Sequence, residues 1–360
     1  MSNSKSLHVV IFGIGNVGST LINQIQAAKS QLQAQQNLDI HIPVVTNSKV
    51  AFFNEFGIEN SWHSDFEKAS IPYKIEDIIS YVKTHHFQNL VAIDATASKD
   101  FVQNYVPLIE NGFHIVSANK VANTLSFDFY EQLRLTLKKH HKSFLYETNV
   151  GAGLPIIETV KRLYDSGEQI QKIRGVFSGS LSYIFNAFSS ENISFSEILK
   201  QANQLGLTEP DAREDLSGND VARKLLILAR ELHLKTEFHD VLVESLVPKT
   251  LNGKTTVHQF ISRSKELDVP FHLLKEQLLE NQVLRYVGEL DVIKNTLEVK
   301  LVSEEKSSAI GQLKGADSVF EIYSESYQDF PLVIQGAGAG KGVTARGLFS
   351  DIVKLSNSLN

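Results

Sequence analysis

The segment LTEPDAREDLSGNDVARKLL, residues 207–226, concentrates charge beside residues that belong in a core. Val221, Leu225, Leu228 and Leu232 form one helical stripe. Asp220 and Lys224, four residues apart, share an adjacent face. In the outer middle of a helix such a pair is a salt bridge of small value. Here it opens the helix, and Glu209, Asp211 and Asp215 precede it in a loop stiffened by Pro210. A lysine ringed by acids can serve as a general acid, giving a proton to a carbonyl oxygen while hydride goes to the carbon. The carboxylates can hold an ammonium group. Lys120, in VSANKVA, follows a buried strand and could hold a carboxylate or share an oxyanion; taken alone, a lysine there reads as a surface residue. The set suits reduction of a small zwitterionic substrate by a nicotinamide cofactor.

The elements that must position these groups begin with VVIFGIGNVGSTLI. Gly13-Ile14-Gly15-Asn16-Val17-Gly18 follows a strand and opens a helix, the setting in which GxGxxG binds a dinucleotide. Gly13 permits the turn, Gly15 lets a pyrophosphate approach the helix N-terminus, and Gly18 lets helix and strand pack closely. NAD enzymes usually carry an acid at the end of the second strand for the ribose 2′-hydroxyl. This chain has Thr46-Asn47-Ser48-Lys49 there. Asn47, Ser48 and Lys49 can receive a 2′-phosphate, so NADP is expected over NAD; the plainer alternative makes Lys49 a solvated residue.

The first segment alternates strand-like runs (LHVVIF, IHIPVVT, NLVAIDAT, FHIVSA, SFLYET) with helical ones (STLINQIQAAKSQL, YKIEDIISYVKTH). That pattern predicts an α/β fold with a Rossmann-type parallel-sheet nucleotide domain over 1–150. After Gly151 a helix (LPIIETVKRLYDSG), a strand (KIRGVFSG), a helical stretch from Ser182 and a later group of strands (QVLRYVGELD, TLEVKLV, VFEIYSES) predict an α+β domain over 151–330 for substrate binding and dimerisation. The closing strand, glycine loop and helix, 331–360, are expected to complete the nucleotide domain. Free strand edges suggest pairing in a homodimer.

At 360 residues the chain is long enough for two domains, and 42% hydrophobic with 21% charged residues is a globular composition. A net charge of −6 offers no attraction for nucleic acid or anionic membrane. No apolar run reaches a membrane span. MSNSKSLHVVIF reads as a strand and not a signal peptide, so a cytoplasmic location is expected. Cysteine is absent, which excludes disulfides, thiolate metal sites and thiohemiacetal chemistry. The adjacent pairs His85–His86 and His140–His141 cannot share a helix face and read as exposed residues.

With these residues in view, the chain resembles homoserine dehydrogenase over nearly its full length. The matching segments are GIGNVG, ANK, ETNVGAGLPII, GVFSGSLSYIF, LGLTEPDAREDLSGNDVARKL and GAGAGKGVTARGLFSD. The serines of SGSLSYIF are similar to those in the dehydrogenase part of bifunctional aspartate kinase–homoserine dehydrogenases. The resemblance implies reversible conversion of L-aspartate 4-semialdehyde to L-homoserine, on the route to threonine, methionine and isoleucine. It implies that Lys224 is the acid–base lysine, with Asp220 beside it, and that Lys120 lies by nicotinamide and substrate. It makes Glu209, Asp215 and Asp220 substrate-side residues, and Thr96 and Gly340 cofactor contacts. It also implies a monovalent cation such as sodium or potassium at Glu147, Val150, Ala152 and Leu154, held mostly by backbone carbonyls; oxygen ligation suits a hard cation. The chain shows no kinase domain and no C-terminal regulatory extension, so threonine is expected to act at most as a weak competitor. Two rivals stand beside this reading: a dehydrogenase of another small amino or hydroxy acid, and a non-catalytic NADP-binding sensor.

Overall fold

The protein is described by a computed structural model covering residues 5–253 and 255–359. It divides into two compact units, Met1–Gly153 with Gly340–Asn360, and Leu154–Ala339.

The first unit is built on strands β1 (Lys5–Phe12), β2 (Leu38–Thr46), β3 (Val50–Phe53), β4 (Ile71–Pro72), β5 (Leu90–Asp94), β6 (His114–Ser117) and β7 (Phe144–Leu145). They lie in the order β4-β3-β2-β1-β5-β6-β7. The run from β2 to β7 is parallel, as the alternating pattern requires. β1 shows why its sequence is a continuous apolar run. Leu7, Val9 and Ile11 join the core formed with helices Asn16–Gln36 and Lys341–Ser358, while Phe12 meets Phe101 with ring centroids 4.7 Å apart. A strand buried on both faces has no polar alternation.

Two details differ from the plain pattern. β3 and β4 are antiparallel additions at one edge. The reversal comes from Asn47, whose Oδ1 accepts the N–H groups of Lys49 and Val50, both at 2.8 Å, the local turn that asparagine favours. SFLYET yields only the short β7, because the chain then winds into a 3₁₀ turn at Glu147–Asn149.

The second unit contains β8 (Ile170–Val176), β9 (Leu242–Val243), β10 (Gln282–Asp291), β11 (Thr296–Glu305), β12 (Asp317–Ser324) and β13 (Leu332–Ala337). Their order is β13-β12-β8-β10-β11-β9, antiparallel throughout except for β9 with β11. The helical stretch expected from Ser182 starts earlier, at Gly179, because Ser178 caps it by accepting the Leu181 N–H at 3.3 Å. Glycine at 288 lets the sheet meet its covering layer: a Cβ there would stand 3.0 Å from the Phe177 ring and 3.1 Å from Val221.

The C-terminal segment, expected whole in the nucleotide domain, is split between the units. β13 is the antiparallel partner of β12. Only the helix Lys341–Ser358 enters the first core, through Ala345, Leu348, Ile352 and Leu355. A strand of six residues satisfies its backbone by pairing with the nearest free edge, here the strand that precedes it. Among the described residues no helix is long and apolar enough to cross a membrane.

Candidate active site

In the first unit the loops that follow β1, β2, β5 and β6 all leave the C-terminal edge of the parallel strands, where open α/β sheets bind ligands. Gly13 has φ +93°, and its N–H donates to Thr46 O at 2.9 Å. Gly18 is pressed against the loop: a Cβ there would lie 1.9 Å from Gly13 O. Gly15 has open space around its missing Cβ. The helix Asn16–Gln36 starts without a side-chain cap, which leaves its N-terminal dipole available to an anion. Gly340 opens the helix Lys341–Ser358 at φ +113°, also without a side-chain cap. Gln24 of the first helix donates to Gly342 O at 3.0 Å, so the two helices are tied in one unit.

Ser48 and Lys49 are exposed in the turn after β2. Asn47 spends its side-chain oxygen on that turn, so its amide is the group left to meet a ligand. Thr96 donates its N–H to Asp94 Oδ1 at 2.8 Å, and its methyl is the nearest group to the missing Cβ of Gly13. Lys120 is half-buried and begins the short helix Val121–Thr124. The residues beside it are anchored: Asn119 donates to Asp94 Oδ2 at 3.0 Å and to Ser98 O at 2.8 Å, and Asn123 to Asn149 Oδ1 at 2.9 Å. Asp94 was not singled out in the sequence, and Asn119 entered only as part of the ANK segment. The one signal was an acid ending the otherwise apolar strand LVAID.

In the second unit Lys224 is only 8% exposed. Its Nζ lies 2.8 Å from Asp220 Oδ2 and donates to Phe177 O at 2.7 Å. The Asp220 side chain is 47% exposed. An exposed acid reaching in to a buried lysine is not the loose surface pair of the plainer reading. Gly218 sets the helix start at φ +75°, and a Cβ there would come within 2.1 Å of Tyr286 Oη.

Asp215 accepts the Ser180 hydroxyl at 2.6 Å and the Glu209 N–H at 2.8 Å. Burial pushes its carboxyl above the usual range, opposed by those two bonds, and the charge of Asp220 adds to the rise. Ser180 is a site residue that spacing alone could not supply. Glu209 is exposed at the same loop. Asp211, counted with the acids around the lysine, has another occupation. Arg213 grips it with Nη2 2.6 Å from Oδ2 and holds its carboxyl below the usual range. Arg213 also donates to Thr255 O at 2.7 Å, so the pair staples the loop down.

In the proposed cation loop Val150 and Ala152 are buried, and Ala152 takes φ +54° directly after Gly151 at φ +75°. Glu147 O accepts the Val150 N–H at 3.3 Å, and Leu154 O accepts the Ile156 N–H at 2.9 Å. Among the described residues no group of three or more His, Asp or Glu could hold a metal ion.

Residues 13–147 match the family described as homoserine dehydrogenase, NAD binding domain, and residues 155–353 match the family described as homoserine dehydrogenase. The chain is 39% identical over 354 residues to a bifunctional aspartokinase/homoserine dehydrogenase of Buchnera aphidicola, covering 98% of this chain and 43% of that one. It thus spans less than half the length of the curated relatives it matches. Among solved structures, a Candida auris protein of unknown function superposes with a TM-score of 0.90 at 32% identity, over 98% of this chain and 99% of that one. A hyperthermophilic archaeal homoserine dehydrogenase in complex with NADPH shares the fold, with a TM-score of 0.74 at 19% identity over 99% of each chain. By these matches, which together take in both units, the chain belongs to the homoserine dehydrogenase family.

Proposed function

We propose that the chain interconverts L-homoserine and L-aspartate 4-semialdehyde with NADP, and that Lys224 moves the proton. The observation that carries this reading is the buried Lys224 amine, held by Asp220 and the Phe177 carbonyl. Bound NADP supplies the hydride chemistry. In the reductive direction the aldehyde oxygen takes a proton from Lys224 Nζ. In the oxidative direction the hydroxyl proton returns to that nitrogen. Asp215 and Glu209 hold the substrate ammonium. Lys120 supplies a second cation for substrate and nicotinamide. The Gly13–Gly18 loop takes the pyrophosphate, with Thr96 and Gly340 as further cofactor contacts. A monovalent cation at Glu147, Val150, Ala152 and Leu154 would find oxygen donors alone, which fits sodium or potassium. A homodimer completes the reading: β13 pairs on one side only, with β12, and a second copy can cover such an edge.

The test is turnover of homoserine with NADP, followed by NADPH formation. Binding of NADPH without turnover of homoserine or any small amino or hydroxy acid would make the protein a sensor. Turnover confined to a different acid would keep the chemistry and replace the substrate.

The NADP preference rests on the exposed Ser48 and Lys49 at the end of β2, where no acid stands. Lys49→Glu places like charge beside a 2′-phosphate. It is expected to raise KM for NADP about tenfold, equivalent to about 1.4 kcal/mol, and to change KM for NAD by less than about threefold. Equal changes for both cofactors in steady-state kinetics would remove Lys49 from phosphate recognition.

A further inference from the structure

We propose that Asp94 is a positioning residue: its carboxylate straps together the two loops that carry Thr96 and Lys120 and so sets the nucleotide pocket. This deepens the function proposed above and rests on it. Asp94 ends β5 and is 1% exposed. Its Oδ1 accepts the Thr96 N–H at 2.8 Å. Its Oδ2 accepts the Tyr105 hydroxyl at 2.8 Å and the Asn119 side-chain amide at 3.0 Å. Tyr105 Oη is 2.8 Å from Ser117 Oγ, which accepts the Asn119 N–H at 2.9 Å.

These groups form a closed ring of hydrogen bonds. The Asn119 N–H donates to Ser117 Oγ, the Tyr105 hydroxyl lies within 2.8 Å of both Ser117 Oγ and Asp94 Oδ2, and the Ser117 hydroxyl reaches Asn119 O at 3.3 Å. The side-chain amide of Asn119 then closes the circle on the same carboxylate. A carboxylate is acceptor-only and uses three donors here without a proton of its own. Burial raises its pKa, and the bonds from Thr96, Tyr105 and Asn119 oppose that rise. The ring has a consequence for two separate loops. One oxygen fixes the backbone of Thr96. The other fixes Asn119, whose amide also reaches Ser98 O at 2.8 Å and whose chain neighbour is Lys120. A buried acid at a strand end costs free energy unless its donors are in place, and here those donors belong to the pocket's own loops.

Asparagine at 94 turns one of the two acceptor atoms into a donor facing another donor. The experiment titrates NADPH by fluorescence and measures melting temperature and homoserine kinetics for the parent, Asp94→Asn, Asn119→Ala and Tyr105→Phe. Asp94→Asn and Asn119→Ala are expected to weaken NADPH by about tenfold, the scale of a lost charge-assisted hydrogen bond. Tyr105→Phe leaves the Thr96 and Asn119 bonds to the carboxylate standing and is expected to weaken NADPH by less than about threefold. If Asp94→Asn does not fold, Asn119→Ala against Tyr105→Phe carries the comparison. NADPH binding within about twofold of the parent in folded Asn119→Ala would overturn the proposal. So would losses of affinity that simply follow the losses of melting temperature across all variants, since a merely structural role predicts that pattern. A parent that binds NADPH without turning over homoserine would refute the proposed reaction and leave the strap intact. A parent that turns over homoserine beside variants with unchanged NADPH affinity would refute the strap alone.

Discussion

Lys224→Ala lowers kcat for homoserine oxidation by at least about a hundredfold, the scale of general acid–base catalysis, while the dissociation constant for NADPH stays within about twofold. The expectation follows from where the amine sits. Its two identified oxygen partners are Asp220 Oδ2 and Phe177 O, and the side chain that bears it is buried in the helix Asn219–Glu231. Removing the amine removes the proton carrier without touching the glycine loop, which lies in the other unit. Asp220→Asn is the informative companion. It keeps the shape and a hydrogen-bonding oxygen but withdraws the counter-charge of a buried cation, a change that costs more than losing a surface pair. Near-normal turnover in Lys224→Ala would end its assignment as the proton donor. A fall in NADPH affinity as large as the fall in kcat would mean that the variant had disturbed the fold instead.

The second large effect belongs to Gly18. Gly18→Ala would bring a Cβ to 1.9 Å from Gly13 O and 3.0 Å from its carbonyl carbon. Both are backbone atoms of the turn, so no side chain can swing aside. Relief requires the helix Asn16–Gln36 to move off the loop, and overpacking of this kind costs about 1–3 kcal/mol. The same movement takes the helix N-terminus away from the pyrophosphate position. NADPH affinity is expected to fall by about a hundredfold, roughly two lost hydrogen bonds, together with a lower melting temperature. Gly15→Ala makes the contrast. Nothing stands within 4 Å of its added Cβ, so the melting temperature should be unchanged while the methyl obstructs the cofactor. Thermal denaturation beside an NADPH titration separates the two cases. Normal binding in Gly18→Ala would show that the loop tolerates the shift and that close packing at this glycine is not what holds the pocket.

How much of this was legible beforehand depended on distance along the chain. The glycine loop was legible because strand, turn and helix are contiguous, and Gly13 and Gly18 answer local needs of backbone geometry. The Asp220–Lys224 pair was legible because four residues is one helical turn. The parallel sheet followed from strand-length apolar runs alternating with amphipathic helices. Asp211 shows where this reasoning fails. Composition placed it among the acids near the lysine, yet Arg213 and, through it, Thr255 occupy it. Nothing in the spacing of the loop distinguishes it from Asp215, whose partner Ser180 lies 35 residues earlier.

The sequence by itself determined the order of elements, the faces they bury and the kinds of chemistry within reach, because periodicity and turn residues act over a few neighbours. The tertiary structure decided which loop acid meets Ser180 and which staples the loop to Arg213. It decided that Asp94, Tyr105, Ser117 and Asn119 close a ring at the edge of β5 and β6, and that β13 joins the second sheet while the helix after it joins the first core. The reason is physical. A buried polar group must find a partner, and the partner is whichever group packing brings within about 3 Å, however far away it lies in the chain.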